Sequence, residues 1–337
     1  MKKNITDNPD GILDRRILMI SRYMAYMYMF FIIGQVDPAI IISDRPMPYI
    51  GALPDNSYHK YARNIYSQNG EDGILLQLLK ELKIERGTFC EFGASDGVAG
   101  SNTLNLIKNY GFSGIAIEAN FTRYRKCVIN YQVFDNVQVF HGMVLYNDKK
   151  NNLNAWLKKG DLPVDLDILS IDIDGDDYYV WEGLTDFNPK IVIFETNSYR
   201  DPIYHELPGK PCKEYNIDLL AQWHPARIAK GCSFISAVEL GLKKGYIPVA
   251  YTGNITFVRK DLVARLSEFP YIISDDPYDY VSLYTPLVLW RYNEWTTNTG
   301  LLLNAAIRDY FLTFSKQYVD IAWLSTRIKE MMQEYGY

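Results

Sequence analysis

The stretch Thr88–Gly97, TFCEFGASDG, joins a short apolar run to a turn that is rich in small residues. We predict a strand over Thr88–Gly93, because a short apolar run that ends at a glycine-containing turn is typical of a buried strand. Glycines in the turn would let the backbone approach a ligand closely. The next segments predict a helix over Ser101–Tyr110 and a second strand over Gly114–Ala119, which starts a strand–helix alternation.

The alternation continues along the chain and closes with a hairpin. The further predicted elements are a helix at Phe121–Tyr131, a strand at Val137–Val144, a helix at Asn151–Lys159, a strand at Leu166–Asp174, a helix at Tyr178–Leu184, a strand at Lys190–Glu195 and a helix at Ser233–Gly245. Strands that alternate with helices predict a mostly parallel α/β sheet with helices on both faces. YIPVAYT and NITFVRKDL, joined by a Thr-Gly-Asn turn, predict an antiparallel hairpin. This closing hairpin favours the Rossmann-like methyltransferase variant over the plain dinucleotide-binding fold.

The length of 337 residues exceeds that of one usual domain. The alternating pattern occupies residues 61–262, which predicts one catalytic domain of about 200 residues. Residues 1–60 then form an N-terminal flank with an apolar helix and a linker, and residues 263–337 form a C-terminal helical extension.

Each flank contains an apolar helix. Ile17–Ile33 is interrupted by Ser21 and Arg22, and its uninterrupted part is too short to span a bilayer. It could pack on the body, form a dimer contact, or lie in the plane of a membrane as a peripheral contact. A long amphipathic helix from about Gly300 packs on the body or forms a dimer seam. Together the flanks predict a homo-oligomer.

Charge and cysteine usage limit the function classes and the compartment. The formal net charge is −5, so the chain lacks the basic footprint of a nucleic-acid binder. The four cysteines form no CxxC pair and suggest no disulfide framework, which favours a reducing compartment. The acidic N-terminus, without a small-residue cleavage site, does not resemble a signal peptide. We therefore expect a cytoplasmic protein, with membrane association through residues 17–33 as an open alternative.

The carboxyl ends of the strands are where ligands bind in this class of sheet. The first predicted strand ends in EFGASDG, and the second ends at Glu118, roughly 20 residues after the glycine turn. An acidic residue at that distance is where a ribose diol is bound in such folds. The stretch Tyr66–Gly73 either begins a helix or turns Gln68 or Glu71 toward a ligand.

The fourth and fifth predicted strands end in acidic residues. Asp172 and Asp174 are two positions apart, so on a continuous strand their side chains would share a face. Glu195 and Asn197 would share a face on the neighbouring strand. Oxygen ligands from Asp174, Glu195 and Asn197 could converge on Mg²⁺, which favours carboxylates. Without a metal, the same cluster would bind substrate hydroxyls or cap helices.

Several of these segments together resemble the FkbM-like S-adenosylmethionine-dependent methyltransferases, in particular a bacterial branch associated with surface-polysaccharide genes. The segments that carry the resemblance are SQNGEDGIL, EFGASDG with SNT, IEAN, LSIDIDGDDYYVW, FETN and GCSFISAVELGLKKGYIPVAYTGNITFVRKDL. The resemblance covers about Tyr61 to Leu262. It departs at Asp176, where relatives often have Asn, and over Ser198–Lys230, which matches nothing in the family. That segment is expected to shape the acceptor pocket.

The resemblance implies a class I methyltransferase that transfers a methyl group to a hydroxyl, of a sugar or surface glycan. The Gly93–Gly97 turn would hold the methionine part of S-adenosylmethionine, Glu118 the ribose, and Gly142 with Met143 the adenine. The complete predicted cofactor set is Gln68, Glu91, Gly93, Ala94, Ser95, Asp96, Gly97, Asn102, Glu118, Gly142, Met143 and Asp172.

The chemistry requires removal of a proton from the acceptor hydroxyl. Asp172 or Asp174 could accept that proton directly, or a Mg²⁺ ion there could lower the pKa of the hydroxyl. His205 or His224 is a further alternative base. Two other functions stay open at this stage. Asp172-Ile-Asp174 is formally the DxD signature of a metal-dependent glycosyltransferase, and the fold could also serve as a non-catalytic interaction module.

Overall fold

A seven-stranded sheet organises the part of the chain that the computed structural model describes, which is residues 57–197, 207–208, 231–267, 273–277, 280 and 284. The strands are β1 (Thr88–Phe92), β2 (Ser113–Glu118), β3 (Val137–His141), β4 (Ile168–Ile171), β5 (Ile191–Glu195), β6 (Tyr246–Tyr251) and β7 (Asn254–Arg259). Their order across the sheet is β3-β2-β1-β4-β5-β7-β6. Strands β1 to β5 pair in parallel, and β7 runs antiparallel to both of its neighbours.

Six α-helices connect or flank these strands in the described residues. They are α1 (Glu71–Leu82), α2 (Leu104–Tyr110), α3 (Phe121–Tyr131), α4 (Leu153–Lys159), α5 (Asp177–Glu182) and α6 (Phe234–Lys243). Short polar side chains begin three of them: Asn120, Asn152 and Ser233 accept hydrogen bonds from backbone N–H groups of α3, α4 and α6. These side chains satisfy helix donors that have no partner within the helix.

The strand order confirms the predicted fold class. After β1, β2 and β3 are added on one side of the sheet, and β4 and β5 are added on the other. The order therefore reverses between β1 and β4, which places a ligand-binding crevice at their carboxyl ends. The antiparallel β6–β7 hairpin completes a mixed Rossmann-like sheet, as the sequence predicts. Pro248 lies on β6, an edge strand, where the missing N–H is tolerated.

The centre of the sheet is buried on both faces, which explains why its strands read as continuous apolar runs. All residues of β4 are buried, and so are Ile191 to Phe194 of β5. The fully buried Trp181 of α5 packs against Phe194 and Phe257, with ring centroids 5.2 and 5.1 Å apart. This packing fixes α5, and therefore the turn that precedes it, against β5 and β7.

Three predicted elements differ from the structure at the ends that face the crevice, and one of them, the strand predicted over Val137–Val144, stops at His141. The predicted strand Leu166–Asp174 stops at Ile171, because Asp177 accepts hydrogen bonds from the N–H groups of Ile173 and Gly175 and holds them in a turn. The predicted helix Ser101–Tyr110 begins only at Leu104. The residues before it are instead bound to the buried carboxylate of Glu91.

The predicted flanking helices lie outside the described residues, and so does most of the segment 198–230. The domain boundaries, the homo-oligomer and the membrane contact therefore stay predictions. Within the described residues, no helix combines the length and the apolar character needed to cross a membrane.

Candidate cofactor and catalytic site

A pocket of about 470 Å³ opens at the carboxyl ends of β1, β2 and β4. The structure places most of the predicted cofactor residues in its wall, namely Gln68, Glu91, Gly93, Ala94, Ser95, Asn102, Glu118, Gly142, Met143 and Asp172. Asp174, one of the two predicted catalytic residues, also lines it. The pocket therefore coincides with the crevice that the strand order predicts.

Asp96 and Gly97, which were also predicted to bind the cofactor, do not line the pocket. The carboxylate of Asp96 accepts hydrogen bonds from the N–H groups of Val98 and Ala99, at 2.9 and 3.0 Å. Gly97 has a φ of +79°, and a Cβ there would lie 2.7 Å from the ring of Tyr131. Asp96 and Gly97 thus stabilise the turn without lining the pocket. Direct contact of either residue with a cofactor stays a prediction.

The turn after β1 requires glycine at its first position. Gly93 has a φ of +79°, and a Cβ at this residue would overlap the backbone carbonyl oxygen of Asp172. The N–H groups of Gly93 and Ala94 donate to the carbonyl oxygen of Ile117, at 3.0 and 3.2 Å. The absence of a side chain thus lets the ends of three strands come together at the pocket floor.

Glu118 at the end of β2 is buried, and backbone groups fix its carboxylate. Oε2 accepts from the N–H of Ser95 at 2.8 Å, and Oε1 accepts from the N–H of Asn120 at 2.6 Å. A carboxylate has about four lone-pair sites, so each oxygen can still accept a hydroxyl proton. This arrangement suits the two hydroxyls of a ribose.

Glu91 on β1 binds the loop that precedes α2. Its buried carboxylate accepts from the hydroxyls of Ser101 and Thr103, at 2.8 and 2.6 Å, and from the N–H of Asn102 at 2.8 Å. Burial raises the pKa of this carboxyl, although the three hydrogen bonds act in the opposite direction. Glu91 lines the pocket, and its hydrogen bonds hold the loop of residues 101–103 in place.

Asn102 presents an acceptor that lacks a partner in the described part of the chain. Its Nδ2 donates to the Ser170 hydroxyl at 3.1 Å, which orients the amide. Its Oδ1 is buried without a hydrogen bond. A buried acceptor of this kind destabilises the protein by about 1–3 kcal/mol unless a donor meets it. The ammonium group of S-adenosylmethionine is such a donor, so the pocket wall fits that cofactor.

An acidic cluster stands at the other end of the pocket. Asp172, Asp174 and Glu195 each offer a carboxylate oxygen, and these three oxygens lie within 4.8 Å of one another. The backbone N–H of Asp174 donates to Glu195 at 3.2 Å, and the carboxyls of Asp172 and Glu195 share a hydrogen bond. Such a cluster needs a proton or a cation between its members, since like charges at this distance repel.

Burial and mutual repulsion raise the pKa values of two acids in this cluster, Asp172 and Glu195. Desolvation, together with the nearby charge of Asp177, raises the pKa of Asp172 to about 7. Burial and the charge of Asp172 raise the pKa of Glu195 well above its usual value. A pKa near neutrality is what a general base requires, because the group can then both accept and release a proton.

The route by which these acids converge differs from the prediction. Because β4 ends at Ile171 and Asp174 has a φ of +55°, Asp172 and Asp174 do not share a strand face. A turn brings them together, and Asp177, which the sequence analysis missed, holds that turn. Burial raises the pKa of Asp177 to about 6. The position of Asp177 in the first turn of a helix could have indicated this role, since the helix N-terminus favours negative charge.

Asn197, the third predicted metal ligand, lies two residues beyond β5. Its backbone N–H donates to the carbonyl oxygen of Cys232 at 2.9 Å, and the N–H of Gly231 donates to Gly175 at 2.8 Å. The two ends of the segment 198–230 are therefore joined beside the acidic cluster. Coordination of a metal by Asn197 stays a prediction.

Comparisons with known proteins show distant structural likenesses. No protein-family model and no curated protein matches the chain. The N-terminal domain of EvdMO1, solved with S-adenosylhomocysteine and D-fucose, is 12% identical over 54% of this chain and 78% of its own, with a TM-score of 0.33. TYW2 from M. jannaschii, in complex with AdoMet, is 15% identical over 59% of this chain and 80% of its own, with a TM-score of 0.28.

A third solved structure is the O-methyltransferase NcsB1 from neocarzinostatin biosynthesis, in complex with S-adenosylhomocysteine and 1,4-dihydroxy-2-naphthoic acid. It is 12% identical over 51% of this chain and 49% of its own, with a TM-score of 0.30. All three structures were solved with S-adenosylmethionine or S-adenosylhomocysteine, and one of them is described as an O-methyltransferase. At these identities and TM-scores no substrate or site residue is carried over, and the sheet order and the pocket stand on their own geometry.

Proposed function

We propose that this chain is an S-adenosylmethionine-dependent O-methyltransferase that acts on a hydroxyl of a sugar or surface glycan. One observation carries the proposal: a single pocket at the switch point runs from the Glu118 carboxylate to the Asp172–Asp174 turn. The first end suits a ribose, and the second suits a hydroxyl that must lose its proton. The sugar class rests on the resemblance to the FkbM-like branch.

Different residues of the chain would bind different parts of the cofactor. Glu118 would accept the ribose hydroxyls, the Gly93–Ser95 turn and Asn102 would hold the methionine part, and Gly142 with Met143 would lie beside the adenine. When bound, S-adenosylmethionine supplies a methyl group already activated by its sulfonium. The protein then contributes alignment of the acceptor oxygen and removal of its proton.

Proton removal is assigned to Asp172, with Asp174 as its neighbour on the same turn. Asp172 lines the pocket and is hydrogen-bonded to Glu195, so a proton that it accepts can be shared within the cluster. A Mg²⁺ ion held by Asp174, Glu195 and Asn197 is the alternative, in which the cation stabilises the developing alkoxide. A chelator should abolish activity only in the mechanism that uses Mg²⁺.

The remaining expectations belong to the same proposal. The acceptor is a sugar or glycan rather than nucleic acid, the protein is cytoplasmic and at least dimeric, and residues 17–33 provide any membrane contact. The net charge of −5 supports the exclusion of nucleic acid.

A glycosyltransferase that uses Asp172-Ile-Asp174 is not favoured. In that function the fixed carboxylate of Glu118 and the glycine turn after β1 would have no role. A non-catalytic module is also disfavoured, because a cluster of like-charged carboxylates without a ligand to bind would destabilise the fold without benefit.

Isothermal titration with S-adenosylhomocysteine and with UDP-glucose tests the proposal directly. We expect S-adenosylhomocysteine to bind and the nucleotide sugar not to bind. Transfer of labelled methyl from S-adenosylmethionine to a set of methyl glycosides then tests the reaction. Binding of UDP-glucose without binding of S-adenosylhomocysteine would reverse the assignment in favour of the glycosyltransferase.

A further inference from the structure

We propose that Tyr146 and Tyr179 form an aromatic platform beside the pocket that binds the pyranose ring of the acceptor. The inference rests on the proposed function and deepens it, because it assigns the acceptor-binding residues and the face of the sugar that they contact. Neither tyrosine belongs to the predicted cofactor, catalytic or metal sets.

The two rings contact each other beside the pocket, next to segments that line it. Their centroids lie 5.0 Å apart, with an angle of 37° between the ring planes. Tyr146 directly follows Leu145, which lines the pocket after β3, and Tyr179 follows Asp176, which lines it after β4. The pair therefore connects two segments that contribute to the pocket lining, one after β3 and one that carries the acidic turn.

The two tyrosines differ in how firmly they are held. The hydroxyl of Tyr179 donates to the carbonyl oxygen of Pro208 at 3.3 Å, and its ring packs edge-on against Tyr178, with centroids 5.4 Å apart. Tyr146 is 45% exposed. One ring is thus anchored, and the other presents its surface to a ligand.

A sugar suits this combination of rings and carboxylates better than a flat or purely apolar acceptor. The face of an aromatic ring is negative, and it attracts the slightly positive C–H groups on the apolar face of a pyranose. The hydroxyls at the edge of the same sugar are donors that match carboxylate acceptors such as Asp172 and Asp174. An acceptor that stacks on the platform would extend its hydroxyls toward the acidic turn.

Residues 198–230, which match nothing in the family, include one residue that contacts this platform. Pro208 lies within residues 198–230, and its carbonyl oxygen is the group that anchors Tyr179. The platform is therefore built partly by chain that is particular to this protein, which is where acceptor specificity is expected to reside.

Saturation-transfer-difference NMR of the full chain with saturating S-adenosylhomocysteine tests the platform. The probes are the methyl glycosides of glucose, galactose, mannose, rhamnose and fucose, with catechol as a flat non-sugar comparison. We expect at least one glycoside to bind with its ring C–H protons most strongly saturated on one face. Tyr146→Ala should weaken that binding about tenfold, whereas Tyr146→Phe should stay within about twofold.

Tyr110→Ala, which removes an exposed tyrosine at the end of α2, is the matched control and should leave glycoside binding unchanged. The affinity for S-adenosylhomocysteine, measured by calorimetry, should be the same in all variants. The platform is overturned if S-adenosylhomocysteine binds but no glycoside does, if only catechol binds, or if Tyr146→Ala has no effect. Failure to bind S-adenosylhomocysteine, with glycoside binding still lost in Tyr146→Ala, would instead overturn the proposed function and leave the platform in place.

Discussion

The carboxylate of Glu118 accepts a hydrogen bond from the backbone N–H of Ser95 at 2.8 Å, across the gap between β2 and the turn after β1. Ser95 has a φ of +50°, an uncommon conformation for a residue with a side chain, and this bond helps to hold it there. The carboxylate is oriented by backbone groups alone. It is therefore in position before any cofactor arrives, so little entropy is lost when a ribose binds.

Glu118→Gln should weaken binding of S-adenosylhomocysteine by about 10- to 100-fold. A hydrogen bond to a charged group contributes about 1.5–3 kcal/mol, and the amide would turn its NH₂ toward one of two N–H donors. Isothermal titration measures the loss. Asp135→Asn, at an exposed acid after α3, is the control and should bind like the wild type. An unchanged affinity of Glu118→Gln for S-adenosylhomocysteine would contradict the proposal that Glu118 binds the ribose.

Gly93→Ala should destabilise the fold by several kcal/mol more than Gly111→Ala. Both glycines have positive φ, +79° and +67°, so each substitution carries a similar backbone strain of about 1–2 kcal/mol. Only Gly93 faces a backbone carbonyl, that of Asp172, whereas a Cβ at Gly111 would meet nothing within 4 Å. Urea denaturation of the two variants isolates the steric part of the cost. Equal midpoints would show that the strand ends can move apart.

His59 should make stability fall as the pH is lowered. Burial lowers the pKa of this histidine from its usual 6.5 to about 4, and its Nε2 lies 2.7 Å from the carbonyl oxygen of Tyr251. The folded state thus keeps the ring neutral while the unfolded state takes up a proton below about pH 6.5. Between pH 6.5 and 4 this group should remove on the order of 3 kcal/mol.

The acids with raised pKa values near β4 act in the opposite direction over the same pH range, so a comparison of variants is needed. The free energy of unfolding should be measured from pH 4 to 7.5 for the wild type and for His59→Gln. The difference between the two curves should shrink as the pH falls. His141→Gln, at an exposed histidine, should follow the wild-type curve. A constant difference for His59→Gln would contradict the predicted loss.

Asp172→Asn should lower the rate of methyl transfer by about 10²- to 10⁴-fold, the usual contribution of a positioned base. Because the pKa of Asp172 is raised to about 7, the wild-type rate should rise as the pH increases through neutrality. Asp161→Asn, at an exposed acid before β4, is the control and should keep both the rate and its pH profile.

The effect of a chelator on the rate distinguishes proton removal by Asp172 alone from proton removal assisted by a Mg²⁺ ion in the acidic cluster. If Asp172 takes the proton itself, EDTA should leave the wild-type rate unchanged. Loss of activity in EDTA, with recovery on addition of Mg²⁺, would instead assign the cluster to a cation. Asp174→Asn should then also raise the Mg²⁺ concentration that is needed for half-maximal recovery.

The sequence predicted the sheet well because its strands are buried on both faces and read as apolar runs between turns. The position of Glu118 also followed, since its distance from the glycine turn depends only on the length of one strand–helix–strand unit. Local conformation was harder to predict. The positive φ of Asp174 depends on hydrogen bonds from Ile173 and Gly175 to Asp177, and no periodicity in the sequence encodes it.

The delayed start of α2 has a similar cause. The hydroxyl oxygen of Ser101 accepts a hydrogen bond from the N–H of Leu104 at 3.0 Å, as a capping residue does. The hydroxyls of Ser101 and Thr103 also donate to the buried Glu91, ten and twelve residues earlier in the chain, and this holds the residues before Leu104 outside the helix. The unpartnered Oδ1 of Asn102 could not be foreseen either, because it depends on the hydrogen bond to Ser170 on β4. Contacts between distant segments decided each of these details.

The hydrogen bond between Asn197 and Cys232 has an evolutionary consequence. The chain departs from the sheet and rejoins it at adjacent points, so the residues in between can be lengthened, shortened or exchanged at an entropic cost that grows only slowly with length. Under the proposed function, mutations in this stretch would change the acceptor that is recognised without changing the packing around Glu118. Under the same proposal, relatives that share the cofactor-binding residues would diverge toward different acceptors by replacing one stretch of chain.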